Sequence, residues 1–153
     1  MEKRKHLRGE EAFTLIEIMV VITIIGLLTG LVAVNVVNYL KKAERKAAAA
    51  QIKNFTTALE TYRMDCSRYP TSDQGLQALI SLPNVGNACR NYPPGGYLKG
   101  GIPKDPWGNP FVYMSPGLNN EEYTVESYGA DGMQGGEGDN ADIQSWNLGD
   151  NEK

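Results

Sequence analysis

The chain has 153 residues, 15 basic and 18 acidic, for a net charge of −3; this gives no long-range attraction to phosphate and argues against nucleic acid as a partner. Composition changes abruptly near residue 40, so the expected organisation is one apolar segment followed by one small globular domain, with no room for two full domains. Enzymatic chemistry is disfavoured too: the single histidine, His6, precedes the apolar run, and no GxSxG, HExxH or P-loop pattern occurs.

Lys3, Arg4, Lys5 and Arg8 precede the apolar run, and Lys41, Lys42, Arg45 and Lys46 follow it. The 23 residues from Ile18 to Leu40 carry no charge and as a helix would extend about 35 Å, enough to cross a bilayer core of roughly 30 Å. The segment is apolar all round rather than striped, which predicts a membrane span with its basic leader cytoplasmic and the remainder exported. No A-x-A site follows, so the helix is expected to be retained. A plain signal anchor, holding a monomeric binding module at the membrane, is the competing reading. It leaves Glu17 unexplained.

Glu17 lies one turn inside the apolar run, where an unpaired carboxylate costs several kcal/mol. The helix that follows offers no cation nearby. A cut between Ala12 and Phe13 would create an α-amino group four residues from the carboxylate. Set beside a neighbouring subunit, that amine would neutralise Glu17 and define the axial offset between two helices.

Beyond Leu40 neither Pro nor Gly intervenes until Pro70, so helix is predicted to continue to about Cys66. Ile52, Phe55, Leu59, Tyr62 and Cys66 form one apolar stripe for packing on the remainder of the chain. Ala47 to Ala50 reads as a close-packing surface, and the charges from Lys41 to Arg45 as a solvated face near lipid headgroups. Cys66 and Cys89 would close a loop of about 24 residues if oxidised, adding roughly 3 kcal/mol; two free thiols are the alternative. Ser72 to Ile80 is predicted as a short helix, and Phe111 to Ser115 with Tyr123 to Tyr128 as a strand pair. Trp107, in the turn-rich Asp105-Pro106-Trp107-Gly108-Asn109, is expected to anchor that loop to the core.

Ser127 to Trp146 combines Asp131, Glu137, Asp139 and Asp142 with Gly129, Gly132, Gly135, Gly136 and Gly138. Carboxylates on flexible backbone suit Ca²⁺, an oxygen-seeking cation, and no His or Cys is present to favour zinc. A mobile acidic C-terminus fits the same composition.

Phe13-Thr14-Leu15-Ile16-Glu17-Ile18-Met19-Val20-Val21 resembles the class III signal of type IV pilins and pseudopilins. Arg68-Tyr69-Pro70-Thr71, Gln74-Gly75-Leu76-Gln77-Ala78-Leu79, Asp105-Pro106-Trp107-Gly108-Asn109 and Ser115-Pro116-Gly117 are similar to segments of the major pseudopilins of type II secretion systems. Two positions depart from the pattern: Ala12 stands where the family usually has Gly, and Val34 where many relatives have Pro. The resemblance implies that a prepilin peptidase cuts between Ala12 and Phe13 and methylates Phe13, and that Glu17 serves assembly. It implies a calcium loop at about 127–146, with ligands Asp131, Asp139, Asp142 and the Tyr128 backbone carbonyl, Asn140 competing with its neighbours.

The expected fold is α+β. A long N-terminal helix, transmembrane over 13–40 and periplasmic over 41–66, follows a cleaved leader, 1–12, and packs on a loop-rich domain, 67–153, with a small antiparallel sheet. The function implied is a non-enzymatic subunit of a periplasmic pseudopilus, anchored in the bacterial inner membrane. Its implied partners are copies of itself, minor pseudopilins, the inner-membrane assembly platform, the prepilin peptidase and inner-membrane lipid. A type IV pilus pilin is the alternative within the superfamily.

Overall fold

A computed structural model of the chain describes residues 13–86 and 89–149, and the side chains of all of these except 31–35. Ala12 and the rest of the expected leader lie outside the described residues, as does the side chain of Val34. The chain forms two compact units, one ending at Tyr39 and one beginning at Leu40. A single helix, α1 (Leu15–Cys66), runs through both.

In the first unit Phe13, just before α1, and the apolar side chains of α1 from Leu15 to Leu27 and Leu28 lie exposed. Among the described residues no helix is long and apolar enough to cross a membrane. Residues 31–35 divide the described apolar stretch, and neither remaining part reaches the length of a span. The membrane-spanning expectation therefore rests on the uncharged sequence from Ile18 to Leu40.

In the second unit α1 becomes amphipathic. Ala48, Ile52, Phe55, Leu59, Tyr62 and Cys66 are all buried, and they meet Leu76, Leu79, Phe111, Tyr113, Val125 and Ile143 in one core. Phe55 and Phe111 pack edge to face with ring centres 5.0 Å apart, an arrangement that adds to the area each ring buries. α1 ends where Ser67 turns left-handed, with φ of 59°, shortly before Pro70 rules out further helix. Cys66 and Cys89 are joined in a disulfide, their Cα atoms 4.8 Å apart.

The sheet has three antiparallel strands in the order β1 (Val112–Met114), β2 (Thr124–Ser127), β3 (Ile143–Gln144). Tyr113 pairs with Val125, and Glu126 pairs with both Val112 and Gln144. The predicted strand pair is present, slightly shortened. β3 was not expected, since it lies within the stretch read as a cation loop. Two residues between polar neighbours show no alternation, and only the edge of β2 makes them a strand.

The predicted helix over Ser72 to Ile80 is corrected to a turn followed by a 3₁₀ helix at Leu76–Leu79. Gly75, with φ 57° and ψ −168°, is outside helical geometry and separates the two halves. The Gln74 side chain closes the turn, accepting from Thr71 N–H at 3.0 Å and donating to the Val85 carbonyl at 2.6 Å.

Candidate assembly and cation sites

At the start of α1, Thr14 Oγ1 accepts the Glu17 N–H at 3.3 Å. Thr14 is thus the cap of the helix and Glu17 its third residue, a position where negative charge also complements the helix dipole. The capping pair Thr14-x-x-Glu17 is a sequence signal in its own right. Glu17 is exposed, and among the described residues neither ion pair involves it.

The stretch after β2 is built on glycine. Gly129 has φ of 67° and Gly136 of 88°; a Cβ there would fall 2.8 Å and 2.7 Å from the Asn140 carbonyl oxygen. Both sides of the loop therefore fold onto that one carbonyl, and no larger residue fits at either place. Gly138–Asn140 forms a 3₁₀ turn, and Ala130 N–H donates to the Asp139 carbonyl at 3.2 Å, closing the loop on itself.

Two neighbouring segments hold this loop. Asp105, 4% exposed, accepts the Trp107 and Asn109 N–H groups on Oδ1 at 3.2 and 2.7 Å, and the Ser127 hydroxyl on Oδ2 at 2.7 Å. Asn109 in turn donates to the Gly129 carbonyl at 3.3 Å. Trp107 does pack against the core, and its indole N–H reaches Glu44 at 3.1 Å.

From α1, Lys41 pairs with Asp139 at 2.6 Å, and Arg45 donates to the Asp139 and Ala141 carbonyls at 3.4 and 2.8 Å. Asp139 raises the Lys41 pKa above its usual value, chiefly through this hydrogen bond. The expected solvated face holds at Lys41 and Lys42, which are exposed, and is corrected at Glu44 and Arg45, which are half-buried. Positions 41, 44 and 45 share one side of a helix, and that side meets the loop across a recess of about 220 Å³ lined by Lys41, Glu44, Trp107, Ala130, Asp139 and Asn140.

The expected ligands are not gathered into one set. Asp131 Oδ1 accepts the Met133 N–H at 3.1 Å, Asp139 faces Lys41, and Asp142 Oδ2 accepts the Gly135 N–H at 2.9 Å. Among the described residues no three acidic, His or Cys side chains form a metal-holding group; like charges separate, and each takes the nearest donor. Asp142 Oδ1 differs, being enclosed with no hydrogen-bond partner. Tyr128 stands beside it, its hydroxyl pKa pushed up by burial first and then by Glu126 and Asp142.

The family described as type II secretion system (T2SS), protein G matches residues 35–146, which covers the second unit almost entirely. The chain belongs to this family. The prokaryotic N-terminal methylation motif matches residues 7–33, across the Ala12–Phe13 junction. The chain is 45% identical over 148 residues to the type II secretion system core protein G of Vibrio cholerae, covering 95% of this chain and 98% of the relative. To the protein of the same name from Klebsiella pneumoniae it is 41% identical over 143 residues, covering 94% and 99%. Among solved structures it resembles the major pseudopilin from the type 2 secretion system of enterohaemorrhagic Escherichia coli, with a TM-score of 0.64 and 37% identity, over 73% of this chain and 94% of that one.

Proposed function

We infer that the chain is the major pseudopilin of a type II secretion system, a structural subunit that polymerises through its N-terminal helix into a periplasmic pseudopilus and so drives export of folded proteins across the outer membrane. One observation carries this reading: a methylation motif and a protein G domain occur in succession along nearly the whole chain. The subunit is anchored in the inner membrane by a single span over 13–40, with the domain from 41 on in the periplasm. A prepilin peptidase cuts between Ala12 and Phe13, and Phe13 becomes the methylated terminus. Its partners are further copies of itself, minor pseudopilins and the inner-membrane assembly platform.

Glu17 then acts in assembly. Its carboxylate, exposed in the first turn of α1, receives the Phe13 amine of an adjacent subunit; the pair is neutral in lipid only when the axial offset is correct.

The cation loop would hold Ca²⁺ through Asp131, Asp139, Asp142 and the Tyr128 carbonyl. The donor set is all oxygen, as Ca²⁺ requires, and Asp142 Oδ1 is an enclosed acceptor without a hydrogen-bond partner. When bound, the ion would tie the loop to the end of β2. Asp131 and Asp139 would exchange their present partners for it.

Deletion of the gene, complemented in the native host, tests the assignment. Secreted proteins should accumulate in the periplasm while surface pili persist. Loss of surface pili with secretion intact would instead assign the chain to a type IV pilus, and an unprocessed N-terminus in the mature protein would assign it to a monomeric signal-anchored module.

A further inference from the structure

Cys66 is the last residue of α1, and its bridge to Cys89 fastens to the helix a segment, from Ile80 on, that has no helix or strand of its own among the described residues. Leu82 and Val85 in that segment are exposed, so little apolar burial holds it. Polar contacts supplement the bridge: Gln74 donates to the Val85 carbonyl at 2.6 Å, and the Tyr92 hydroxyl to the Ala78 carbonyl at 3.1 Å. The bridge itself is closed in, with Cys66 8% exposed and Cys89 7%. The Tyr97 hydroxyl, which donates to Asp65 at 3.1 Å, stands 3.7 Å from Cys66 Sγ, and the Tyr97 ring packs with those of Tyr62 and Tyr92, centres 5.4 and 5.3 Å away.

Thiol oxidation needs a thiolate that the oxidant can reach, so cysteines enclosed in this way react slowly once the domain has folded. Chain order gives them an earlier opportunity. With the N-terminus held in the cytoplasm by the basic leader, the domain crosses the membrane from residue 41 onward. Cys66 and Cys89 then emerge before Phe111, Tyr113, Val125 and Ile143, the residues that complete the core against α1. In that interval both thiols are outside while the core that encloses them is incomplete.

We propose that the Cys66–Cys89 bridge is made by a periplasmic dithiol oxidase, a partner protein carrying its own exchangeable disulfide, after Cys89 has crossed the membrane and before the core closes over the pair. The inference rests on the periplasmic placement given under Proposed function. One cysteine thiolate attacks a sulfur of the oxidase disulfide, whose S–S bond breaks to leave a mixed disulfide and an oxidase thiol. The second cysteine thiolate attacks the chain's own sulfur in that mixed disulfide, forming the Cys66–Cys89 bond and expelling the second oxidase thiol. The chain loses two electrons and two protons, and the oxidase disulfide takes up both electrons to become a dithiol.

The native host, with and without its periplasmic dithiol oxidase, is quenched in acid, and free thiols are tagged with a maleimide that adds mass. Cys66 and Cys89 are the two cysteines of the chain, so each molecule reads as untagged or doubly tagged. The chain should be untagged in the wild-type host and mostly tagged without the oxidase; equal oxidation in both hosts overturns the proposal. Protease added to spheroplasts separates this inference from the reading beneath it. A chain reduced in both hosts but cut by protease overturns the oxidase proposal alone, whereas one reduced and protected overturns the periplasmic placement with it. The order of events is read on full-length protein in detergent micelles, reduced and then given glutathione disulfide either in urea or after refolding. Bridge formation should be at least about tenfold slower in the refolded chain, because it must await local opening, and a reduced chain that does not refold also places the bridge before the core. Equal rates would overturn the proposed order.

Discussion

Asp105→Ala tests whether a buried carboxylate organises the region around the cation loop. The substitution removes one acceptor group and strands three donors: the Trp107 and Asn109 N–H groups and the Ser127 hydroxyl. Hydrogen bonds to a charged group contribute about 1.5–3 kcal/mol each, but three that share one carboxylate are not additive. Water entering the space left behind would satisfy some of the donors, so the expected loss is about 3–5 kcal/mol. For a unit of roughly this size that lowers the melting temperature by about 4 °C per kcal/mol, or ~12–20 °C in total. The assay is thermal unfolding followed by circular dichroism on full-length protein in detergent. Asp105→Asn is the control: it keeps the shape and one acceptor oxygen but sets an amide against a donor, and should fall between wild type and alanine. A loss under ~1 kcal/mol for Asp105→Ala, the scale of an exposed pair, would refute the view that Asp105 holds the Trp107 turn to the end of β2.

Glu17→Ala should abolish pseudopilus assembly in cells while leaving the melting of the second unit unchanged; unaltered filaments would sink the pairing argument. In Asp131→Ala, the melting temperature should no longer differ between calcium and chelator, and a persisting difference would show that this carboxylate is not a ligand. Reducing or replacing the Cys66–Cys89 bridge, a sequence separation of 23, should cost roughly 3 kcal/mol by the loop-closure argument, measured by denaturant unfolding with and without reductant. Alkaline pH should destabilise the fold. The Tyr69 pKa is pushed up to about 12, by burial first and then by its hydrogen bond to Glu60, and burial moves Tyr97 and Tyr113 upward as well. An unfolded tyrosine ionises near pH 10; above that the unfolded chain holds fewer protons, so stability present below pH 10 is lost as pH rises through 12. Equal denaturation midpoints at pH 8 and pH 11 would contradict this.

Much of the architecture could be read from residue order because its causes are local. The absence of Pro and Gly between Leu40 and Cys66 and the stripe from Ile52 to Cys66 are enough for a helix with one buried face, and both are found. Phe111 to Ser115 and Tyr123 to Tyr128 announce a strand pair through β-favouring residues between turns. The short helix after Ser72 was misread because the pattern of apolar residues outweighed Gly75, whose backbone conformation a helix cannot accommodate. Glu44 and Arg45 were misread because charge alone does not reveal partners 63 to 96 residues away.

Sequence by itself determined the apolar segment, the isolated Glu17, the amphipathic continuation of α1 and the oxygen-rich, glycine-rich loop, since each follows from side-chain chemistry within a few residues. Tertiary structure alone decided the rest. It made a strand of Ile143–Gln144 by offering the edge of β2, turned Asp105 from a turn residue into a three-bond anchor, and enclosed one oxygen each of the Glu126 and Asp142 carboxylates. These outcomes depend on which distant groups are brought together and cut off from water, and no local pattern encodes that.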